Sequence, residues 1–439
     1  MRRVIDGVAA CLALAAASLA ASAQAPPAPA PQPPTQLTLA QAEQIAIQNN
    51  PDIGIAHLLA LAQGQVAREA RSAWMPALGG NMTAVGAHDN TRITAGVLNN
   101  PSVYDRAAGG LTVSQLITDF GRTHNLILSA NSNARAQLES ERATRQDIAV
   151  TVDQAFYRVL TAQAVLKVAH QTVAERQATS EQVAAMTRAK LRSQVDLSFA
   201  QVQLSQARLM LLDAQNQAET AMAALDTVLG FEQNRRYTLV DQTPANPAAP
   251  PENAEPLVQQ AFTARPDLAA ANDNFAAATQ FGKAERDLWM PTVSALAAVG
   301  GTPVRADQIQ SSWYGAAGVN IGIPIFNGFL FNAREQEAKL RANASQQQVR
   351  SLRDNIARDV RTAALNAQDA FQRIGVSREM LKQSNLALDL SQRRYQLGLS
   401  SIVELTQAQL AQTQAQIAVS DARYAYATSL SVLHYQLGQ

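Results

Sequence analysis

The chain has 439 residues, of which 47% are hydrophobic, 5% aromatic and 16% charged, against roughly 25% charged residues in ordinary domains. Its formal net charge is +1, which excludes a bulk electrostatic pull toward nucleic acid or acidic lipid. Alanine and glutamine fill the deficit, so helices form readily but a thick globular core lacks the large side chains it needs.

The first 23 residues read as a secretory signal. Arg2 and Arg3 supply the positive start, "VAACLALAAASLA" the apolar stretch and "ASA" at 21–23 a small-residue cleavage site. Cys11, the only cysteine, lies inside this segment. "VAAC" loosely resembles a lipoprotein box, with few residues before it. Cleavage after Ala23 leaves a mature chain without disulfides. Beyond the signal no apolar run reaches the ~20 residues of a membrane helix. The protein is then either soluble outside the cytoplasm or enters a membrane as strands. Residues 24–37 form a proline-rich leader that suits neither helix nor central strand.

The remainder is one unit written twice. Pro51-Asp52 and Trp74-Met75-Pro76 recur 215 residues later as Pro266-Asp267 and Trp289-Met290-Pro291. From Arg145 and Ile148 (matching Arg353 and Ile356) to Leu229-Gly230 (matching Leu437-Gly438) the offset is 208 without a gap. The second copy therefore loses seven residues between Pro291 and Phe326, where a loop is expected. Repeat 1 spans 38–230, a proline-rich connector 231–254, and repeat 2 255–439.

Each copy reads as helix, hairpin, helix, helix. The first helical stretch, Thr38 to Trp74, breaks at "NNPD". There Asn50 suits a cap, Pro51 a first helical position and Asp52 the positive helix start. Period-two patterns predict strands at about 77–87, 107–118, 291–300 and 314–326. In the last, Ala317, Val319, Ile321, Ile323 and Ile325 alternate with small or polar residues. Such short alternating segments are the mark of a membrane β-barrel. Two long helices follow, at about 121–189 and 330–397, each ~70 residues or roughly 100 Å. The last helix of each copy begins near Gln194 and Ile402. The first and last helices of a copy, stacked end to end, match the long one in length. Sevenfold apolar spacing (Val195, Val202, Leu209; Val403, Leu410, Ile417) predicts left-handed coiling. The fold class is thus mainly α with a small β part, in which four strands per chain are too few to close a barrel and three chains would pool roughly twelve.

Trp74 and Trp289 fall where helix gives way to strand, and Trp313 opens a strand beside Tyr314. Tryptophan favours the hydrocarbon–water boundary, so the three mark the edges of a membrane. The competing reading makes Trp74 and Trp289 core residues sealing a helix pair.

"YQLGLSSIVELTQAQLAQTQAQIAVSDARYAYATSLSVLHYQLG" (395–438) resembles the final helices of the TolC-like outer-membrane efflux proteins. "QNNPDIGIA" (48–56), "QLITDFGR", "IPIFNG" and the duplicated layout resemble that family as well, so the likeness covers about 38–439. It implies a homotrimeric outer-membrane β-barrel continued by a long periplasmic α-barrel in a Gram-negative envelope. It also implies docking at the periplasmic tip with an adaptor (membrane fusion) protein and an inner-membrane transporter, in efflux or type I secretion. In that family, residues past the final tip turn close the periplasmic mouth with two acidic rings. Glu404 matches one acid, and Gln407 stands in place of the other. Tyr395 matches the tyrosine before the turn, while Ser400 replaces its basic partner. Asp196 is the first copy's counterpart of Glu404, with Arg188, Lys190 and Arg192 nearby. Three like carboxylates around an axis would attract cations. Alternatively, Glu404 is a first-turn glutamate favoured by the helix dipole. Docking residues would be Leu397, Gly398, Leu399, Ser400 and Ser401, with Lys190, Leu191, Arg192 and Ser193. Gly398 suits a positive-φ turn, whereas Lys190 in the matching place argues against one. An exposed leucine at a turn can also plug its own helix pair.

No GxSxG, HExxH or phosphate loop occurs. His57, His88, His124, His170 and His434 show no ligand spacing. The chain reads as a non-enzyme without cofactor. The rival to an export duct is a trimeric coiled-coil stalk or surface fibre, which needs no paired strands. A soluble adaptor would need a β-rich half that is missing.

Overall fold

The structure is a computed structural model describing residues 36–86, 92–95, 98–102, 106–231, 237–304 and 311–439. The signal segment with Cys11, the leader up to residue 35, and His88 lie outside the described residues.

Repeat 1 contains β1 (Gln36–Leu37), α1 (Leu39–Asn49), α2 (Pro51–Ser72), β2 (Ala77–Val85), β3 (Arg92–Ala95), β4 (Leu98–Ser102), β5 (Arg106–Thr118), α3 (Arg122–Arg188) and α4 (Gln194–Val228). After β6 (Thr238–Leu239), repeat 2 contains α5 (Glu255–Ala264), α6 (Pro266–Arg286), β7 (Thr292–Val304), β8 (Trp313–Gly322), α7 (Leu330–Gln396) and α8 (Ile402–Gln436). Thr38 closes a capping box on α1. The Asn50 side chain accepts the Asp52 N–H at 2.9 Å, with Pro51 in the first helical turn. In the second copy Arg265 takes the cap position of Asn50 and instead grips Asp267 at 2.7 Å.

Both long helices have 67 residues and both final helices 35. Each long helix is flanked by α2 or α6 over one half and by α4 or α8 over the other, as the summed lengths predict. The helix α3 is central: it touches α2 and α6 at the sheet end, and α4 and α8 toward the opposite tip. Left-handed residues turn the chain into each long helix, Phe120 and Gly121 in the first copy and Gly328 and Phe329 in the second.

The buried face near the tip is thin. On α7 the residues Ser377, Ser384 and Ser391 are buried at sevenfold spacing. The Ser377 and Ser384 hydroxyls donate to the carbonyls of Ile374 and Leu381 in their own helix. On α3 the buried polar residues of this stretch are Thr172, Arg176 and Ser180. Arg176 is buried, and its Nη1 has no partner among the described residues. Burial pulls its pKa down, offset by the charge of Glu175.

The strands form one antiparallel sheet in the order β2-β5-β7-β8, so the two copies join through β5 and β7. Residues paired in register share a face. One face carries Leu78, Met82, Leu111, Val113, Val299, Val319 and Ile321; the other carries Asn81, Thr83, Thr112, Ser114, Ser294 and Asn320, with Leu116 and Leu296 among them. On the second face Tyr314 covers a glycine pair. A Cβ on Gly110 would meet its hydroxyl at 2.4 Å and the Val299 carbonyl at 2.7 Å. The outer edges of β2 and β8 pair with nothing among the described residues.

Three strand expectations need adjustment. The strand β8 stops at Gly322, because Pro324 cannot donate to a ladder; Ile323 and Ile325 therefore lie outside it. Its neighbour β7 runs on to Val304, and β2 ends at Val85. The leader also contributes more than expected, since Gln36–Leu37 pairs in parallel with Thr238–Leu239.

The connector wraps the second copy as a belt at mid-height. Tyr426 donates to the Ala248 carbonyl at 2.5 Å, Tyr424 to Asp241 at 3.0 Å, and Gln368 to the Pro251 carbonyl at 3.0 Å. Arg378 binds the Ala245 carbonyl and Asn246. Beneath the belt a core of Val152, Phe156, Val159, Leu225, Leu229 and Tyr237 fastens α1, α3 and α4.

Candidate gate and docking tip

Both tip turns are built alike. At the end of α3 the Leu191 N–H reaches the Met186 carbonyl at 2.9 Å, and the Lys190 N–H reaches Thr187 at 3.0 Å. At the end of α7 the Leu399 N–H reaches Arg394 at 2.8 Å, and Gly398 reaches Tyr395 at 3.0 Å. This double bonding satisfies carbonyls that a helix end leaves free. It requires positive φ, which Gly398 adopts at 78° and Lys190 at 60°. The expectation that Lys190 prevents a tight turn is therefore overturned. The left-handed strain of about 1 kcal/mol is met by the same two hydrogen bonds.

The final helices start on serine caps. Ser193 accepts the Asp196 N–H at 3.1 Å, while the Asp196 carboxylate accepts the Ser193 N–H. Ser401 accepts the Glu404 N–H at 3.3 Å. The Glu404 carboxylate turns to Arg394, whose Nε stands at 3.3 Å. Ile402, Leu405 and Tyr395 seal this end together with Val183, Leu388, Ala200 and Ala408. Leu191, Leu397 and Leu399 are left 73%, 74% and 67% exposed. They do not plug their own helix pairs.

The sequence reading placed Arg192 beside Asp196 and among the docking residues, but missed its contact with Tyr395. Arg192 is the repeat counterpart of Ser400, 208 residues away. Its Nη2 donates to the Tyr395 carbonyl at 2.6 Å, and its guanidinium lies 4.2 Å from the centre of the Tyr395 ring. The basic residue absent at 400 is thus supplied by the first copy, and the repeat offset alone would have found it. Tyr395 is 2% exposed, and its hydroxyl has no partner among the described residues. Burial pushes its pKa up; Arg192 pulls it down and Asp196 pushes it up further. Tyr395, Arg192 and Asp196 therefore form one cluster, and Glu404 with Arg394 a second. The Ser400 hydroxyl is buried without a partner among the described residues, and Gln407 is exposed.

At the opposite end, Trp74 stacks on His124 at 6.0 Å, and its carbonyl accepts from Gln115 at 2.7 Å. Trp289, in a short 3-10 turn, meets Phe331 edge-on at 5.6 Å. They are 48% and 42% exposed, too open for core seals. Trp313 pairs with Gly301 at the far end of the sheet. From the Thr292–Gly322 pair to the Gly301–Trp313 pair is roughly 30 Å of strand. Tilted by about 40°, this spans about 23 Å, close to the ~25 Å height of the apolar band of an outer-membrane barrel. Among the described residues no helix is long and apolar enough to cross a membrane, and no group of His, Asp and Glu could hold a metal ion.

The family model for "Outer membrane efflux protein" matches residues 43–231 and 257–439, the two copies in turn. Protein CyaE of Bordetella pertussis is 26% identical over 380 residues, covering 84% of this chain and 78% of that protein. Outer membrane protein TolC of Salmonella enteritidis is 22% identical over 420 residues, covering 91% and 83%. Among solved structures, CusC superposes with a TM-score of 0.79 at 21% identity over 96% of this chain and 99% of that one. The Campylobacter jejuni CmeC outer membrane channel superposes with a TM-score of 0.80 at 15% identity over 91% and 85%. Matched across both copies, with paired strands where a plain stalk needs none, the chain belongs to the outer membrane efflux protein family and is an outer-membrane channel whose long helical part lies in the periplasm.

Proposed function

We propose that three copies of this chain form a passive duct that receives its cargo at the helical tip from a periplasmic adaptor and an inner-membrane transporter. The observation carrying this reading is the two-faced sheet with open edges. Its apolar face suits lipid, its polar face suits water, and β8 of one protomer can continue onto β2 of the next. Twelve strands then enclose a pore, and the helices extend it below. Trp74 and Trp289 mark the inner rim of the membrane and Trp313 the outer.

The mouth closes at the tip. Tyr395, held by Arg192 and flanked by Asp196, keeps the end of α7 packed; Glu404 supplies the charged ring, with Gln407 and Ser400 as uncharged neighbours. The exposed Leu191, Leu397 and Leu399, with Lys190, Ser193, Gly398 and Ser401, form the surface on which the adaptor docks. The test is the mass of the detergent-extracted full-length protein and its conductance in planar bilayers. A trimer with discrete, cation-preferring channels is expected. A monomer, or an assembly that never conducts, refutes the duct.

A further inference from the structure

Two carboxyl groups meet under the belt and are used by none of the features above. Glu43 lies on α1 and Asp153 on α3, and the two side chains hydrogen-bond to each other. Ser431 of α8 donates to Asp153. The second carboxylate oxygen of Asp153, Oδ1, is sealed from solvent and has no donor among the described residues. The pair opens on a cavity of about 430 Å³ lined also by Tyr157, Tyr426 and His434.

Carboxyl groups that hydrogen-bond to each other cannot both be ionised, because neither anion has a hydrogen to give. One proton placed on Glu43 supplies the donor that the buried Asp153 oxygen lacks. The surroundings favour retaining it. Burial raises the pKa of Glu43 to about 7, and Asp153 adds to that rise. Burial likewise pushes Asp153 upward, opposed by Ser431, Glu43 and His434. Every packed element contributes charged or titratable groups: Tyr157 on α3, His434 and Tyr424 on α8, and Asp241 on the connector. Asp241 is held low by the Thr243 N–H, Tyr424 and Arg423 despite its burial, so it does not compete for the proton.

We propose that Glu43 and Asp153 share one proton as a clasp fastening α1 to α3 and α8 at the waist, and that the clasp releases as the periplasm turns alkaline. The sign follows from linkage. Glu43 is ionised above about 4.5 in the unfolded chain but holds its proton to about 7 in the folded one. The stabilisation is complete below the lower value and is lost as pH rises through the upper one. Between the two values each pH unit weakens the closed clasp by up to about tenfold, and above the upper one the loss levels off. The helix α1 is then held by its apolar residues and by the Asn50 side chain, which donates to the Val228 carbonyl at 3.1 Å.

The test is hydrogen exchange of the α1 amides in the detergent-purified full-length protein, corrected for the intrinsic pH dependence of exchange. Protection at residues 40–49 should fall about tenfold or more between pH 5.0 and 7.5 in the wild type, at up to ~10-fold per unit, and level off above that. It should stay flat in Glu43→Gln, whose amide donates at every pH. Infrared titration of the wild type gives a second readout that needs no variant. A protonated carboxyl C=O band should vanish near neutral pH. Flat protection in the wild type, a Glu43→Gln profile that follows the wild type, or no protonated-carboxyl band at pH 6 would each overturn the clasp.

Discussion

Replacing Arg192 with alanine tests the closed tip most directly. The guanidinium makes two contacts with Tyr395, a hydrogen bond of 2.6 Å to its carbonyl and a stacking contact 4.2 Å from its ring. A hydrogen bond from a charged donor contributes about 1.5–3 kcal/mol, and a half-exposed cation–π contact about 0.5–1. The lower end applies to the first, because the Tyr395 carbonyl still accepts from the Gly398 N–H at 3.0 Å and is not orphaned. The total is about 2–2.5 kcal/mol. If the contact exists only when the tip is closed, its loss multiplies the open population about 30- to 70-fold. Single-channel recording should show longer or larger openings in Arg192→Ala. Cells carrying it should admit a large hydrophilic antibiotic that the wild type excludes. Arg192→Lys keeps the charge without the planar fork and should fall between. A folded Arg192→Ala trimer with wild-type currents and permeability would refute the reasoning.

Glu404→Ala should raise conductance and reduce cation preference while leaving thermal stability within about 1 kcal/mol, since its pair with Arg394 is solvent-exposed; unchanged currents would remove Glu404 from the mouth. Tyr395→Phe deletes a hydroxyl that has no partner among the described residues, so the unfolding midpoint should hold or rise slightly. A loss above about 1 kcal/mol would reveal a partner for that hydroxyl. Arg176→Met replaces a buried guanidinium whose Nη1 has no hydrogen-bond partner among the described residues with an apolar chain and should stabilise the shaft by about 1–4 kcal/mol, read as a raised midpoint in denaturant. Destabilisation would mean that an anion or ordered water satisfies the charge.

Much of the architecture was legible because helices here are punctuated by proline and glycine and paced by apolar spacing. The 67-residue helices start and end within a residue or two of the expected positions. The strands were less legible, since alternation alone does not register the ladder-breaking effect of Pro324 or the extension of β7 past a glycine pair. The pairing of β5 with β7, which joins the copies, depends on tertiary packing of α3 against α6 and has no local signature. At the tip, Tyr395, Asp196 and Glu404 were each visible as residues, but their partners were not. Arg192 reaches Tyr395 across 203 positions of sequence, a contact that only the stacked hairpins bring about. Lys190 misled because the rule favouring glycine at a left-handed turn is a preference of about 1 kcal/mol, which two backbone hydrogen bonds outweigh.

The serines at 377, 384 and 391 give the lower shaft an unusual mechanical character. Two of the three keep their hydroxyl bonds inside their own helix, so a neighbouring helix that swings away breaks none of them and bares little greasy surface. Adhesion along this stretch is weak per unit length, while each helix stays internally intact. The lower part of the helical bundle is thus a set of stiff staves loosely glued, in which sliding or splaying would melt no stave.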